Sequence, residues 1–289
     1  MQFSDQKKGM LMAFTAVMFI TPDSLFIRMA SVSSWNLIFY RGFIPFSIVS
    51  VGLLLIYKFK FIKELYNNGW HGVAYALTFS ITNITFVISI ENTNVANTLI
   101  MIALAPMLSA VISLIFLKEK PDQKTWIAIT ITTLAVIFIF YDALDAGDML
   151  GNALGLLTAL GLAVGAVIIR SKKKISLVPS AMIGKLLVAL IAFYFADNLN
   201  LEGNDITIVP LMCVMCVAIP FVLVTLAPRY ITAAEVNLFF LLETILGPIW
   251  VWLVVKEQPS TETIIGGIVI IATIAVHSIL SLKKHNFIN

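Results

Sequence analysis

The 289-residue chain is 60% hydrophobic and 12% charged, with a mean hydropathy of +0.97, whereas a soluble domain is roughly 45–50% apolar and about 25% charged. That balance excludes an ordinary water-soluble globule and points to a membrane protein. The net charge of +3 lies in short clusters between apolar runs, with no basic face or aromatic-basic motif, so nucleic acid is not an expected partner.

Crossing a hydrocarbon core of about 30 Å takes about 20 mainly apolar residues. Ten such runs follow one another: roughly 8–29, 35–57, 70–90, 96–117, 124–141, 150–170, 178–197, 206–227, 232–255 and 261–281. They are far longer than barrel strands and do not alternate, so the expected fold class is an all-α integral membrane protein of ten transmembrane helices. The links are too short to hold a further domain. Met10 to Ile20 continues through Thr21-Pro22-Asp23-Ser24 into Leu25-Phe26-Ile27 without an Ala-x-Ala type site, so a cleaved signal peptide is not expected.

With the N-terminus in the cytoplasm, the inner links collect fifteen basic residues, from Lys7 and Lys8 through Lys172-Lys173-Lys174 to Lys283 and Lys284. The outer links keep Arg28 and Lys256 and carry acids such as Glu91, Asp142, Asp145, Asp197 and Glu257. This positive-inside bias places both termini in the cytoplasm and requires an even number of spans.

An internal echo divides the chain. Ala96-Asn97-Thr98-Leu99, through Pro106 to Lys118-Glu119-Lys120-Pro121, resembles Ala233-Ala234-Glu235-Val236-Asn237-Leu238 through to Lys256-Glu257-Gln258-Pro259, an offset of 138 residues. Phe26-Ile27-Arg28 echoes Ile168-Ile169-Arg170, and Arg41 echoes Lys185. Residues 1–145 and 146–289 are therefore expected to be two five-helix repeats. An odd number of spans per repeat inverts the second relative to the first, an arrangement common among secondary transporters.

Charges inside the hydrocarbon are costly and mark pathways or pairs. Asp23 and Arg41 each sit about six residues from the outer ends of adjacent antiparallel helices, roughly 10 Å below the surface at 1.5 Å per residue. They are expected to pair, either as a clamp or as a gate. Glu243 falls at the midpoint of the ninth run, where an acid costs about 2.5–3.5 kcal/mol to insert. A partner, a proton or a cationic substrate group must offset that cost. Lys185 and Glu235 are expected as an inner counterpart of the outer pair, with Lys185 able to snorkel.

Among uncharged polar positions, Asn83, Asn97 and Asn237 are candidates for substrate contact or for hydrogen bonds between helices. Trp250 and Trp252 suit either an interfacial anchor or a stacking wall. Gly151-x-x-x-Gly155 and Gly161-x-x-x-Gly165 give the sixth helix a small face for close approach. Cys213-x-x-Cys216 has redox or zinc spacing but lies in an apolar run without partnering ligands, so both are expected to be small packing residues. Prolines 22, 45, 106, 220 and 248 mark bends around a cavity.

The chain resembles the EamA type of the drug/metabolite transporter (DMT) superfamily, most specifically at Thr21-Pro22-Asp23-Ser24-Leu25-Phe26-Ile27-Arg28, Phe39-Tyr40-Arg41-Gly42, the Ala96 to Pro121 segment and Ala233 to Pro259. The resemblance implies ten helices in two inverted repeats, and movement of small metabolites or amino acids across the inner membrane, often outward, through a central cavity. One departure is Thr244, which stands where the first repeat has Pro106. No His-Glu-x-x-His, Gly-x-Ser-x-Gly or phosphate-binding loop is present, so a membrane-embedded enzyme is the weaker alternative. A channel is another, lacking filter-like loops or charge rings. The expected partners are a small-molecule substrate and the lipid bilayer, with protons as a candidate coupling ion. No cofactor or metal is expected, and the assembly is a monomer or dimer.

Overall fold

Backbone groups in hydrocarbon must be satisfied within their own segment, and helices answer that demand throughout this protein. The computed structural model describes residues 3–58, 60–93, 95–140, 149–255 and 261–286, and no strand occurs among them. The chain runs through α1 (Phe3–Ile20), α2 (Asp23–Met29), α3 (Ser34–Tyr57), α4 (Lys60–Asn92), α5 (Val95–Ile102), α6 (Ala105–Phe116) and α7 (Gln123–Phe140). It continues through α8 (Met149–Ser171), α9 (Val178–Phe195), α10 (Asp205–Met212), a π-helical turn at Cys213–Ala218, α11 (Ile219–Leu226), α12 (Ala233–Val255) and α13 (Thr261–Asn286). Six stretches are long and apolar enough to cross a membrane, and shorter apolar helices accompany them. Large apolar side chains such as Leu55, Phe116 and Tyr194 cover the outside, a surface suited to lipid and not to water.

The breaks between short helices follow from proline. Pro22 has no N–H for the carbonyl of Met18, and the Thr21 hydroxyl donates to that carbonyl instead, at 3.0 Å. The first apolar run is therefore split into α1 and α2, and Asp23 opens the second piece. A second break, at Ala103–Leu104, separates α5 from α6, which has Pro106 in its first turn. In the eighth run Pro220 cannot donate to the carbonyl of Cys216, and the backbone widens into the π-helical turn just before it. Such turns commonly lie at functional sites. In α4 the backbone turns at Gly69, whose φ of +49° is strained for other residues.

Contacts between links define two opposite faces of the bundle. On one, Arg170 bonds Glu119 at 3.0 Å, Arg229 donates to the carbonyl of Lys173, Asn68 donates to the carbonyl of Ser176, and Lys8 lies over the Tyr230 ring. His277, near the end of α13, meets Thr125 at the start of α7, so the start of α1 and the last turns of α13 belong to this face. On the other, Ser31 N–H bonds Asp205, Ser34 bonds Glu91 and Tyr40 donates to the carbonyl of Leu199.

The two halves of the chain interlock. Helix α3 packs on α9, α4 on α8, α6 on α12, α7 on α13 and α1 on α11. The glycine face of α8 lies against α4 and α5: Gly151 sits under the carbonyl of Asn92, and Gly155 beside Ser89 and Met101. Helix α12 is the most enclosed element, with every residue from Ala233 to Ile245 buried. Whatever side chains it carries at its midpoint must find their partners inside the protein.

Candidate functional site

Four intramembrane charges expected on separate helices, Asp23, Arg41, Lys185 and Glu243, border one cavity of about 120 Å³. The break after α1 supplies Asp23, α3 supplies Arg41, α9 supplies Lys185 and α12 supplies Glu243. Apolar walls come from Phe79 and Phe86 of α4, Phe221 of α11 and Phe240 of α12.

Asp23 and Arg41 form a fork-to-fork ion pair, with Nη1 to Oδ1 at 2.6 Å and Nη2 to Oδ2 at 2.7 Å. Their side chains are only 3% and 8% exposed. Nη1 also lies 3.6 Å from Met212 Sδ, and the guanidinium stands 5.8 Å from the centre of the Phe86 ring. The bidentate geometry satisfies both carboxylate oxygens.

Lys185 is 1% exposed and donates to Asn83 Oδ1 at 2.5 Å. Its ammonium also lies 5.2 Å from the Phe79 ring centre and 5.9 Å from that of Phe221, within cation–π range. Asn83 is oriented by its other end, where Nδ2 donates to the carbonyl of Phe79 at 2.7 Å. This corrects the expected position of Lys185 at an inner mouth. Helix α9 has only 18 residues, so seven residues from one end is close to the middle, too deep for the ammonium to snorkel out.

Glu235, the expected partner of Lys185, is held elsewhere. Its Oε2 accepts from Thr232 N at 2.8 Å and Thr232 Oγ1 at 2.9 Å, while Glu235 N donates back to Thr232 Oγ1 at 3.2 Å. This is a capping box that starts α12. The structure does not bring Lys185 and Glu235 together.

Glu243 is 5% exposed, and among the described residues its Oε1 has no hydrogen-bond partner. Asn237, on the same helix, is 1% exposed, and its Nδ2 likewise lacks a partner. It lines a second, smaller chamber of about 40 Å³. Trp250 does not line either chamber. Two turns beyond Glu243, its Nε1 donates to Thr21 Oγ1 at 2.9 Å, tying α12 to the break between α1 and α2. Of the two roles expected for Trp250, anchor or stacking wall, the structure shows neither directly and gives it this tie between helices. The side chains of Asn97, Trp252, Pro248 and Arg28, and all of Lys256 to Pro259, Asp142, Asp145 and Asp148, lie outside the described residues.

Sequence reasoning missed the aromatic walls and Cys216, which borders the cavity from the π-helical turn. Phenylalanines occur in nearly every run, so composition singled out none of them. Pro220, four residues after Cys216, was the available signal, because its missing N–H frees the Cys216 carbonyl. Cys213 is fully buried and both thiols are free.

Formally the four charges cancel, but they are not equally satisfied. Asp23 and Arg41 complete each other, Lys185 rests on a neutral amide, and Glu243 has a bare oxygen. Lys185 and Glu243 are therefore the two ionisable groups of the cavity that lack a charged partner among the described residues. The sequence model of the EamA-like transporter family matches residues 7–141 and again 149–279. The chain belongs to the EamA-like transporter family. No curated protein sequence matches it. A crystal structure of a protein 14% identical to this chain superposes with a TM-score of 0.79, covering 96% of this chain and 99% of that one. At that identity the likeness shows the fold alone. Membership makes the chain a membrane transporter with a two-repeat architecture.

Proposed function

We propose that the protein is a secondary transporter that carries a small zwitterionic solute, an amino acid or a close relative, by alternating access between two inverted five-helix repeats. The observation that carries this reading is the cavity itself: Lys185, held only by a neutral amide, and Glu243, with an unpartnered oxygen, face one space inside the bundle. A solute carboxylate would take the Lys185 and Arg41 side, and a solute ammonium would take Glu243. Asn83 orients Lys185 for the first contact.

Support for the repeats comes from the two family matches and from the pairing of each half's helices with the other's. In this reading the ten spans are α1–α2, α3, α4, α5–α6, α7, α8, α9, α10–α11, α12 and α13. The boundary falls near residue 145. The basic links share the face that carries the start of α1 and the last turns of α13, which favours a cytoplasmic location for that face in the inner membrane. Outward movement is the direction that the family resemblance implies. Asp23 and Arg41 clamp α2 to α3 beside the site and are the pair most directly exposed to rearrangement when it opens.

The test is counterflow. Purified protein in liposomes preloaded with an unlabelled L-amino acid mixture should accumulate labelled L-amino acids with saturable kinetics. Flux that rises linearly with concentration, or no flux for any amino acid, would overturn the reading.

A further inference from the structure

The chamber beside Asn237 adjoins the charged one. Phe79, Thr82, Leu162, Val224 and Phe240, from α4, α8, α11 and α12, line both and form the neck between them. Beyond the neck the wall changes character. Asp23, Arg41, Lys185 and Glu243 border only the first chamber, and no charged side chain lines the second among the described residues.

The hydrogen-bonding capacity of this second wall is almost used up. The Thr225 hydroxyl donates to the carbonyl of Phe221 at 2.6 Å, which leaves the Tyr75 hydroxyl to donate to Thr225 Oγ1 at 3.0 Å. The Thr82 hydroxyl donates to the carbonyl of Thr78 at 2.7 Å. One donor remains: Asn237 Nδ2, on a residue 1% exposed, with no acceptor among the described residues. A buried amide donor without an acceptor is costly, and such groups are rare in native proteins. Asn237 precedes Glu243 by six residues on α12, about 9 Å along the axis at 1.5 Å per residue. They also stand about 120° apart around the helix, so an extended side chain with a hydrogen bond of about 3 Å at each end is needed to span the interval.

We propose that the second chamber is a side-chain subsite. It receives the far end of a solute whose zwitterionic head lies in the charged chamber, and Asn237 Nδ2 donates there to a neutral acceptor oxygen. The site therefore selects zwitterions with an uncharged, carbonyl-tipped or amide-tipped side chain over those whose side chain is wholly apolar. This inference rests on the zwitterion reading above.

The test uses full-length purified protein and three probes: L-glutamine, L-norleucine and L-alanine. Glutamine and norleucine have side chains of similar length but differ in the terminal amide, and alanine ends before the neck. Wild type should bind glutamine about tenfold more tightly than norleucine, the scale of one net hydrogen bond. Asn237→Leu should weaken glutamine to the level of norleucine and leave norleucine within about twofold. Equal binding of glutamine and norleucine by wild type overturns the subsite whether or not the variant folds. So does a preference that survives in Asn237→Leu, as expected if water satisfies the amide. Binding of alanine but of neither longer probe overturns the subsite alone. Failure of all three to bind overturns the zwitterion reading and the subsite with it.

Discussion

Replacing Asp23 or Arg41 singly should destabilise the protein far more than replacing both. The pair is joined by two bonds of 2.6 and 2.7 Å, and both side chains are under one-tenth exposed. Removing one member of such a buried pair leaves an uncompensated charge and costs about 3–5 kcal/mol, whereas an apolar pair in its place is often neutral or better. Arg41→Leu leaves Asp23 and Glu243 against Lys185, and Asp23→Leu leaves Arg41 and Lys185 against Glu243; a stranded carboxyl can take up a proton, whereas a guanidinium cannot lose one. Asp23→Leu should therefore be the more damaging single change. The double variant Asp23→Leu/Arg41→Leu restores neutrality and should return to within about 1 kcal/mol of wild type, a coupling energy of about 3 kcal/mol or more. Denaturant or thermal unfolding of the four proteins in one detergent measures the cycle. Single changes that cost under about 1 kcal/mol, or a double change that costs the sum of the singles, would refute the argument.

Two further outcomes concern packing and the tie from Trp250 to Thr21. A methyl group at Gly42 would stand 2.6 Å from the backbone nitrogen of Ala189 and 2.8 Å from the carbonyl oxygen of Lys185, while one at Gly52 meets nothing within 4 Å. Gly42→Ala should lower stability by about 1–3 kcal/mol, and Gly52→Ala should raise it by up to about 1 kcal/mol; thermal melts that rank them the other way would contradict the α3–α9 contact. Trp250→Phe removes the bond to Thr21 and should cost about 1 kcal/mol of stability without changing the solute KM in counterflow. A raised KM would return Trp250 to the binding site.

The membrane-spanning runs were legible because hydrocarbon thickness dictates their length, and the echo between the halves was legible because matching residues recur at nearly constant offsets. The Asp23–Arg41 contact was readable for the same reason: equal depth on adjacent antiparallel helices leaves few alternatives. Lys185 was placed near one mouth because its depth was counted from one end of the run 178–197, although eight residues into α9 is close to the middle of the helix. Glu235 was misread because a capping box and a gate both present an acid at a helix start, and Thr232 three residues earlier favoured the cap. Trp250 shares a helix with Glu243, but helical periodicity cannot tell a cavity from a neighbouring helix that covers the next turn. The neck of Phe79 and Phe240, and the π-helical turn that brings Cys216 to the wall, depend on how distant segments meet.

The central claim is that the charged cavity binds and carries the solute, and Glu243→Gln tests it most directly. Glutamine keeps the shape of the side chain and removes the one carboxylate of the cavity with an unpartnered oxygen. The account predicts a folded variant at least as stable as wild type, with saturable L-amino acid counterflow reduced by at least about tenfold, the scale of one lost hydrogen bond to a charged group. Counterflow with unchanged rate and KM in a folded Glu243→Gln protein would contradict it.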